Sequence, residues 1–164
     1  MGRYEDVVSG DCVLDDLHLM KPWEIRIAGE ITVNTDICLV QSRMVSKKFS
    51  DGSTMLVCDL QDAHLGFGYV GPQRYSQADF ESLYKAWCKQ IKESIERRGG
   101  KSMEFLIAAR TLYHASKEHF NNFQFYRSRS NNKESLIFGY WDDEARAMEC
   151  PKFLFIKQAL IFST

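Results

Sequence analysis

Residues 76–100, "SQADFESLYKAWCKQIKESIERRGG", decide how the rest of the chain is read. Phe80, Leu83, Tyr84, Trp87, Cys88, Ile91 and Ile95 recur at i, i+3, i+4, i+7 spacing, which lays one apolar stripe along a helix. Ser76 stands before the run and Asp79 three residues later, the pattern of a capped N-terminus. The opposite face sets Glu81 with Lys85, Lys89 with Glu93 and Lys92 with Glu96, all at i, i+4, as an ordinary solvated surface does. The stripe must be covered, and the flanking sequence supplies the cover.

The helix ends at Gly99-Gly100, where Lys101 and Ser102 complete the last letters of a phosphate-binding loop, G-x-x-x-x-G-K-[ST]. The first glycine of that loop would fall at Ile95, and a helix rather than a strand comes before it. Successive N–H groups therefore have no turn in which to converge on phosphates, and the glycine pair reads as a helix C-cap.

Upstream, "PWEIRIAGEITVN" puts Trp23, Ile25, Ile27, Ile31 and Val33 on one parity, predicting a long half-buried strand with a bulge at Gly29. A turn at Asn34-Thr35-Asp36 leads to a second strand in "ICLVQSRMV", and Asp51-Gly52 turns the chain into "MLVCDL" as a hairpin. Downstream, "SMEFLIAARTLYHASKEHF" predicts a strand followed by a short helix. "FQFYRSRS", an Asn131-Asn132 turn and "ESLIFGYW" give another hairpin, an acidic turn at "DDEARAMECP" follows, and "KFLFIKQALIFS" is an apolar final segment. Strands, one strong helix, a mixed segment and strands again make an α+β fold, an antiparallel β-sheet with helices packed on one face. Residues 22–164 form that single domain; residues 1–21, rich in acids, form a flexible N-terminal arm.

The totals agree with one globular domain: 164 residues, 45% hydrophobic and 13% aromatic, are enough to bury a core. A net charge of −1, from 21 basic and 22 acidic side chains, excludes whole-molecule attraction to nucleic acid or anionic lipid, so any such binding comes from a local patch or from multivalency. Cys12, Cys38, Cys58, Cys88 and Cys150 are odd in number and contain no C-x-x-C pair, which predicts reduced, mostly buried thiols without a zinc ribbon or a disulfide framework. The acidic N-terminus is unlike a signal peptide, Asp6 stands where a myristoylation signal prefers Ser or Thr, and no apolar run is long enough to span a bilayer, so no membrane anchor is expected.

Catalytic patterns are sparse. His114 and His119 form one close histidine pair at a spacing that does not share a helix face, which argues against a metal site. "HAS" at 114–116 is half of a two-histidine phosphoesterase signature whose second copy does not occur. Asp-x-Lys, Glu-x-Lys and G-x-S-x-G are also missing, and "WDDE" reads as a solvated turn. The expectation is a nonenzymatic protein with no catalytic residues, no cofactor and no metal. Basic residues gather at Arg43 with Lys47 and Lys48, at Arg97 with Arg98 and Lys101, and at Arg127 with Arg129 and Lys133. "AHLGFGYVGPQ" suits either an end-of-sheet strand or an exposed aromatic loop.

Read in order, "RYSQADFESLYKAWCKQI", "GGKSMEFLIAAR", "NNFQFYRSRS" and "ESLIFGYWDDEARAMECPKF" resemble the core of rhabdovirus matrix proteins, and the short length resembles the plant-infecting members. The acidic arm departs from the Lys-rich arm of the animal members, and no Pro-Pro-x-Tyr motif occurs. The resemblance implies a noncatalytic viral structural protein that self-associates, condenses the nucleocapsid and links it to the inner face of the envelope. Its partners would be itself, the nucleocapsid, a lipid membrane contacted peripherally and host proteins. It would reside in the virion under the envelope and in the host cytoplasm and membranes. Charge and exposure patterns nominate Lys47, Lys48, Arg97, Arg98 and Lys101 for an anionic partner, and Leu65, Phe67 and Tyr69 for a self-association or membrane-facing loop. The rival class is a small cytoplasmic binding module, such as an immunity protein that neutralises one toxin.

Overall fold

In the computed structural model, which describes residues 2–164, the periodic segment is helix α1, Gln77–Arg97. The Ser76 hydroxyl accepts from the Asp79 N–H at 3.1 Å. Phe80, Tyr84, Trp87, Ile91 and Ile95 are buried along one stripe. Gly99 takes φ +80°, and the Gly100 N–H donates to Ile95 O at 3.0 Å, closing the last turn. The Gly-Lys-Ser tripeptide is thus a helix exit followed by helix α2, Met103–Glu118.

Helix α2 replaces the strand predicted at its start. Phe105, Ala108, Ala109, Leu112 and Ala115 are all buried at helical spacing. The alanines let the helix backbone approach the sheet closely, so the 3.6-residue period overrides the short apolar run "EFLIAA".

The strands are β1 (Arg3–Asp6), β2 (Cys12–Asp15), β3 (Lys21–Ile27), β4 (Glu30–Gln41), β5 (Met44–Lys48), β6 (Thr54–Cys58), β7 (Val70–Gln73), β8 (Phe123–Arg127), β9 (Ile137–Tyr140), β10 (Lys152–Ile156) and β11 (Leu160–Ser163). Six of them make one antiparallel sheet in the order β3-β4-β10-β9-β8-β7. Both long helices lie on one face of this sheet, as the α+β reading expects. Phe80, Trp87, Phe105, Phe123, Phe125, Phe138 and Leu154 form an aromatic-rich core between the layers. Each such side chain fully withdrawn from water contributes about 1.5–3 kcal/mol.

The opposite face carries a second core, in which Val13, Leu14, Val40, Leu60, Tyr69, Tyr126 and Phe153 meet. Much of its cover comes from the N-terminus, and the flexible arm expected over residues 1–21 is corrected accordingly. Strand β1 pairs with β2 on one side and with the C-terminal β11 on the other. Asp11 fixes this small sheet to the β8–β9 turn, accepting from the Ser130 N–H and hydroxyl at 2.9 and 2.6 Å. Met1 lies outside the described residues. Asp6 accepts from the Ser9 N–H and Asp16 from the Gly2 N–H, at 2.9 and 2.8 Å, while Val13 and Leu14, 1% and 0% exposed, supply the burial that orders the segment.

The long strand predicted from Trp23 to Val33 is two strands. Ala28 and Gly29 both take positive φ, 51° and 83°, in a two-residue hairpin turn. Register pairs Ile25 with Thr32 and Arg26 with Ile31. The turn therefore exchanges parity: Ile25 faces α2, whereas Ile31 and Val33 are 57% and 56% exposed on the other side. Strand β4 then runs straight through the turn predicted at Asn34–Asp36. Its register with β3 slips between Pro22 and Trp23, which returns Ile37 to the helical face, where it is buried.

The Asp51-Gly52 hairpin forms as predicted, as β5 and β6, a two-stranded sheet of its own. The expectation of reduced cysteines fails at its base, where Cys58 and Cys150 form a disulfide. Ninety-two residues separate them in sequence, so no spacing motif announces the pair. The "DDE" turn is the start of a short helix, α3 (Asp143–Met148), capped by the Asp142 carboxylate accepting from the Ala145 N–H at 2.8 Å.

Candidate functional site

A groove of about 660 Å³ opens beside β3, at the end of the sheet where β4, β10 and α3 meet. The β2–β3 connection brings Leu17 and Leu19, 74% and 70% exposed, to its rim. Pro22, Leu39 and Met148 add apolar wall. Its charged lining is balanced, with Lys21, Arg26, Arg43 and Lys152 set among Glu24, Asp59, Asp142 and Glu144. A far smaller cavity, of about 20 Å³, lies inside the core beside Trp87, Leu136 and Asp6 and has room for about one water.

Three of the groove's charges are fixed by pairing with one another. Lys152 sits in a strand whose other residues are all buried apolar groups, and its ammonium reaches out to Asp142 Oδ2 at 2.7 Å and Glu144 Oε2 at 3.4 Å. Burial pushes the Lys152 ammonium toward neutrality, but the two carboxylates outweigh it and hold its pKa above the ordinary lysine value. Burial likewise pushes Asp142 upward, and the bonds from Lys152 and the Ala145 N–H outweigh that and hold it below the usual carboxylate range. Both groups are thereby locked into their charged forms across the neutral range, the reverse of the tuning a general acid or base needs.

One wall is held by backbone and amide contacts. Gln41 Nε2 donates to the carbonyls of Ser42, Cys150 and Pro151 at 2.7, 2.9 and 3.3 Å. Asp59 Oδ1 accepts from the Arg43 N–H at 2.8 Å and from the Ser42 hydroxyl at 3.1 Å. Arg43 and Asp59 thus stand together where the β5–β6 hairpin leaves the sheet.

The residues nominated from the sequence lie elsewhere, and the structure does not unite them. Lys47 is tied to Asp62 at 3.1 Å and lies over the Phe49 ring, while Lys48 beside it is exposed. Arg97, Arg98 and Lys101 are exposed at the far end of α1, where Arg98 Nε donates to Ser94 O at 3.2 Å. Leu65 is 53% exposed. Phe67 stacks on Tyr69 at 6.4 Å between ring centres, and Tyr69 is core, with its hydroxyl donating to Val13 O. Of the three residues nominated in this loop, Leu65 is exposed, Phe67 half-buried and Tyr69 buried. Gly66 explains the tightness of the loop, since a Cβ there would lie 2.0 Å from Asp59 O. Sequence reasoning missed Lys152, Asp142 and Gln41. The available signal was the lone lysine at the head of "KFLFI", a charge in a strand otherwise fully buried, which needs a partner.

The six-stranded antiparallel sheet with a helical hairpin on one face, a terminal three-stranded sheet on the other and a groove at one end defines an α+β domain of one particular architecture. The chain belongs to the translationally controlled tumour protein family, whose model matches residues 1–161. The fold agrees: the translationally controlled tumour-associated protein p23fyp of Schizosaccharomyces pombe superposes with a TM-score of 0.75 at 18% identity, covering 100% of this chain and 99% of that one. No curated protein sequence matches the chain significantly.

These findings overturn the rhabdovirus matrix resemblance. The family is cellular, not viral, and it takes in the full span over which the matrix motifs were read. The viral matrix function falls with it, as do the nucleocapsid, envelope and self-assembly partners, the virion location and the toxin-immunity alternative. The matrix-like order of motifs has a simpler cause. A capped helix, a glycine exit, a second helix and an aromatic hairpin are what this α+β architecture requires locally. Among the described residues no helix is long and apolar enough to cross a membrane.

Proposed function

We propose that the chain is a noncatalytic binding protein that seats a protein partner in the groove beside β3. The observation that carries this is the equal mixture of positive and negative side chains around apolar walls. A polyanion or an anionic bilayer calls for a single-sign basic surface, whereas a protein segment with apolar and charged side chains matches a mixed one. Leu17 and Leu19 are the exposed anchors for such a segment. Arg43 and Glu144 supply charges at the groove that the partner's own charges complement. Membership of a family that is generally noncatalytic supports the same reading, as do the ion pairs that keep Lys152 and Asp142 from exchanging protons near neutrality.

The test places a photo-crosslinking amino acid at Leu19 of the full chain in cell extract. The expected result is a defined set of crosslinked proteins that disappears when Arg43→Glu and Leu17→Ser are added, and that persists with Arg97→Ser, Arg98→Ser and Lys101→Ser. Crosslinks indifferent to the groove substitutions would sink the reading.

A further inference from the structure

The Cys58–Cys150 disulfide joins two segments whose neighbouring residues line the groove. Cys58 is the last residue of β6 and precedes Asp59, which lines the groove wall with Arg43. Cys150 follows α3 and stands two residues from both Met148 and Lys152, which line the facing side. The bond, with Cα atoms 5.9 Å apart, therefore clamps the two sides together at that end.

It also holds an element with little else to hold it. Among the described residues strands β5 and β6 pair only with each other, and Met55 and Leu56 are 53% and 67% exposed. An isolated two-stranded ribbon is marginal in water. Its other anchors lie at its base and beyond it: the Lys47–Asp62 pair at 3.1 Å, the Ser42 and Arg43 contacts to Asp59, the Asp59 N–H donating to Arg43 O at 2.8 Å, and the buried Leu60 that follows. Helix α3 is only six residues long, and besides the disulfide its corner is held by Lys152 to Asp142 at 2.7 Å and by Gln41 Nε2 to the Cys150 carbonyl at 2.9 Å.

The two sulfurs differ in access: Cys150 is 0% exposed, whereas Cys58 is half-buried. Attack by an external thiolate is therefore directed to Cys58 Sγ. We infer that Cys58–Cys150 is a redox switch on the groove: oxidised, it fastens the β5–β6 hairpin and Asp59 against the α3–β10 corner; reduced, it frees the hairpin and opens that wall. The partner part of this inference rests on the groove being the binding site.

The reductant required is a dithiol. One of its thiolates attacks Cys58 Sγ, forming a mixed disulfide and expelling the Cys150 thiolate, which takes up a proton. The second thiol then attacks the reductant's own sulfur in the mixed disulfide and releases Cys58 as a thiolate, which is also protonated. The reductant leaves as a disulfide, and its two electrons and two protons reside on Cys58 and Cys150.

The full chain is compared by hydrogen exchange after treatment with oxidised glutathione and after reduction with dithiothreitol. Reduction should accelerate exchange about tenfold or more over residues 44–58 and 143–150, leave α1 protected, and reverse on reoxidation. Cys58→Ser should show the fast pattern with or without reductant. Three results would each overturn the switch: both thiols still alkylatable after oxidised glutathione, exchange in the hairpin indifferent to reductant, or protection lost throughout α1 as well, which would make the bond a staple of the whole fold. The Leu19 crosslink, repeated on both forms, should weaken on reduction. If crosslinking ignores the groove substitutions while hairpin exchange responds to dithiothreitol, the binding reading fails and the redox-released hairpin stands.

Discussion

Lys152 Nζ lies 2.7 Å from Asp142 Oδ2, on a side chain that is only 11% exposed. The two residues thereby join strand β10 to the cap of α3, and they set the electrostatic character of the groove beside them. Their pKa shifts have opposite signs, and each favours the ion. For Asp142, held below its ordinary value of 3.8, the stabilisation is present above that value and is lost as pH falls through the lower folded pKa. For Lys152, held above 10.5, it is present below that value and is lost as pH rises through the higher folded pKa.

Lys152→Met should therefore cost about 1–3 kcal/mol near neutral pH, because Asp142 keeps its charge and loses its partner. The penalty should shrink at acid pH, as Asp142 becomes protonated. Urea denaturation of wild type and variant at both pH values measures it. A penalty equal at the two would show that packing of the lysine stem, not its charge, is what matters.

Tyr69 and Leu65, four residues apart, should behave oppositely. Tyr69→Ala empties a buried aromatic site and should cost about 3–5 kcal/mol, and Tyr69→Phe, which strands Val13 O, about 1 kcal/mol. Leu65→Ser should stay within about 0.5 kcal/mol of wild type. Thermal or chemical unfolding distinguishes them, and a neutral Tyr69→Ala would contradict its place in the core.

At the two ends of α1 the expected losses are small and separable. Ser76→Ala removes the acceptor for the Asp79 N–H and should cost about 1 kcal/mol. Gly99→Ala meets no atom within 4 Å, so its cost, also about 1 kcal/mol, comes only from the positive φ of 80°. Gly99→Asn, which tolerates that conformation better, should recover part of the loss.

Asp6 is the buried acid whose charge is disfavoured. Burial raises its pKa against the opposing bonds from the Ser9 hydroxyl and N–H, which lie at 2.7 and 2.9 Å. Its favourable contribution is complete below 3.8 and is lost as pH rises through the raised folded value. Asp6→Asn keeps an acceptor for Ser9 without the charge, so its stability relative to wild type should improve from about pH 3 to about pH 7. A difference that stays flat across this range would rule out desolvation of Asp6 as a cost to the fold.

What the sequence determined by itself is whatever depends on neighbours along the chain. The stripe of α1, its Ser76 cap and Gly99 exit, the Asp51-Gly52 hairpin and the β8–β9 hairpin are local, because helical periodicity and turn chemistry act over a few residues. Those elements were sufficient to define an α+β domain with helices on one face. Tertiary structure decided the rest. A two-residue turn at Ala28-Gly29 keeps the apolar alternation looking continuous while moving Ile31 and Val33 to the other face, so one strand and two strands read alike. The arm ordered because β11, from the opposite end of the chain, pairs with β1. Helix won over strand at "EFLIAA" because the alanines have a sheet to rest against. The groove required the sheet to bring Leu19, Gln41, Asp142 and Lys152 together, and the disulfide required Cys58 and Cys150 to meet across 92 residues. Such meetings are fixed by burial summed over the whole chain, and no local window contains them.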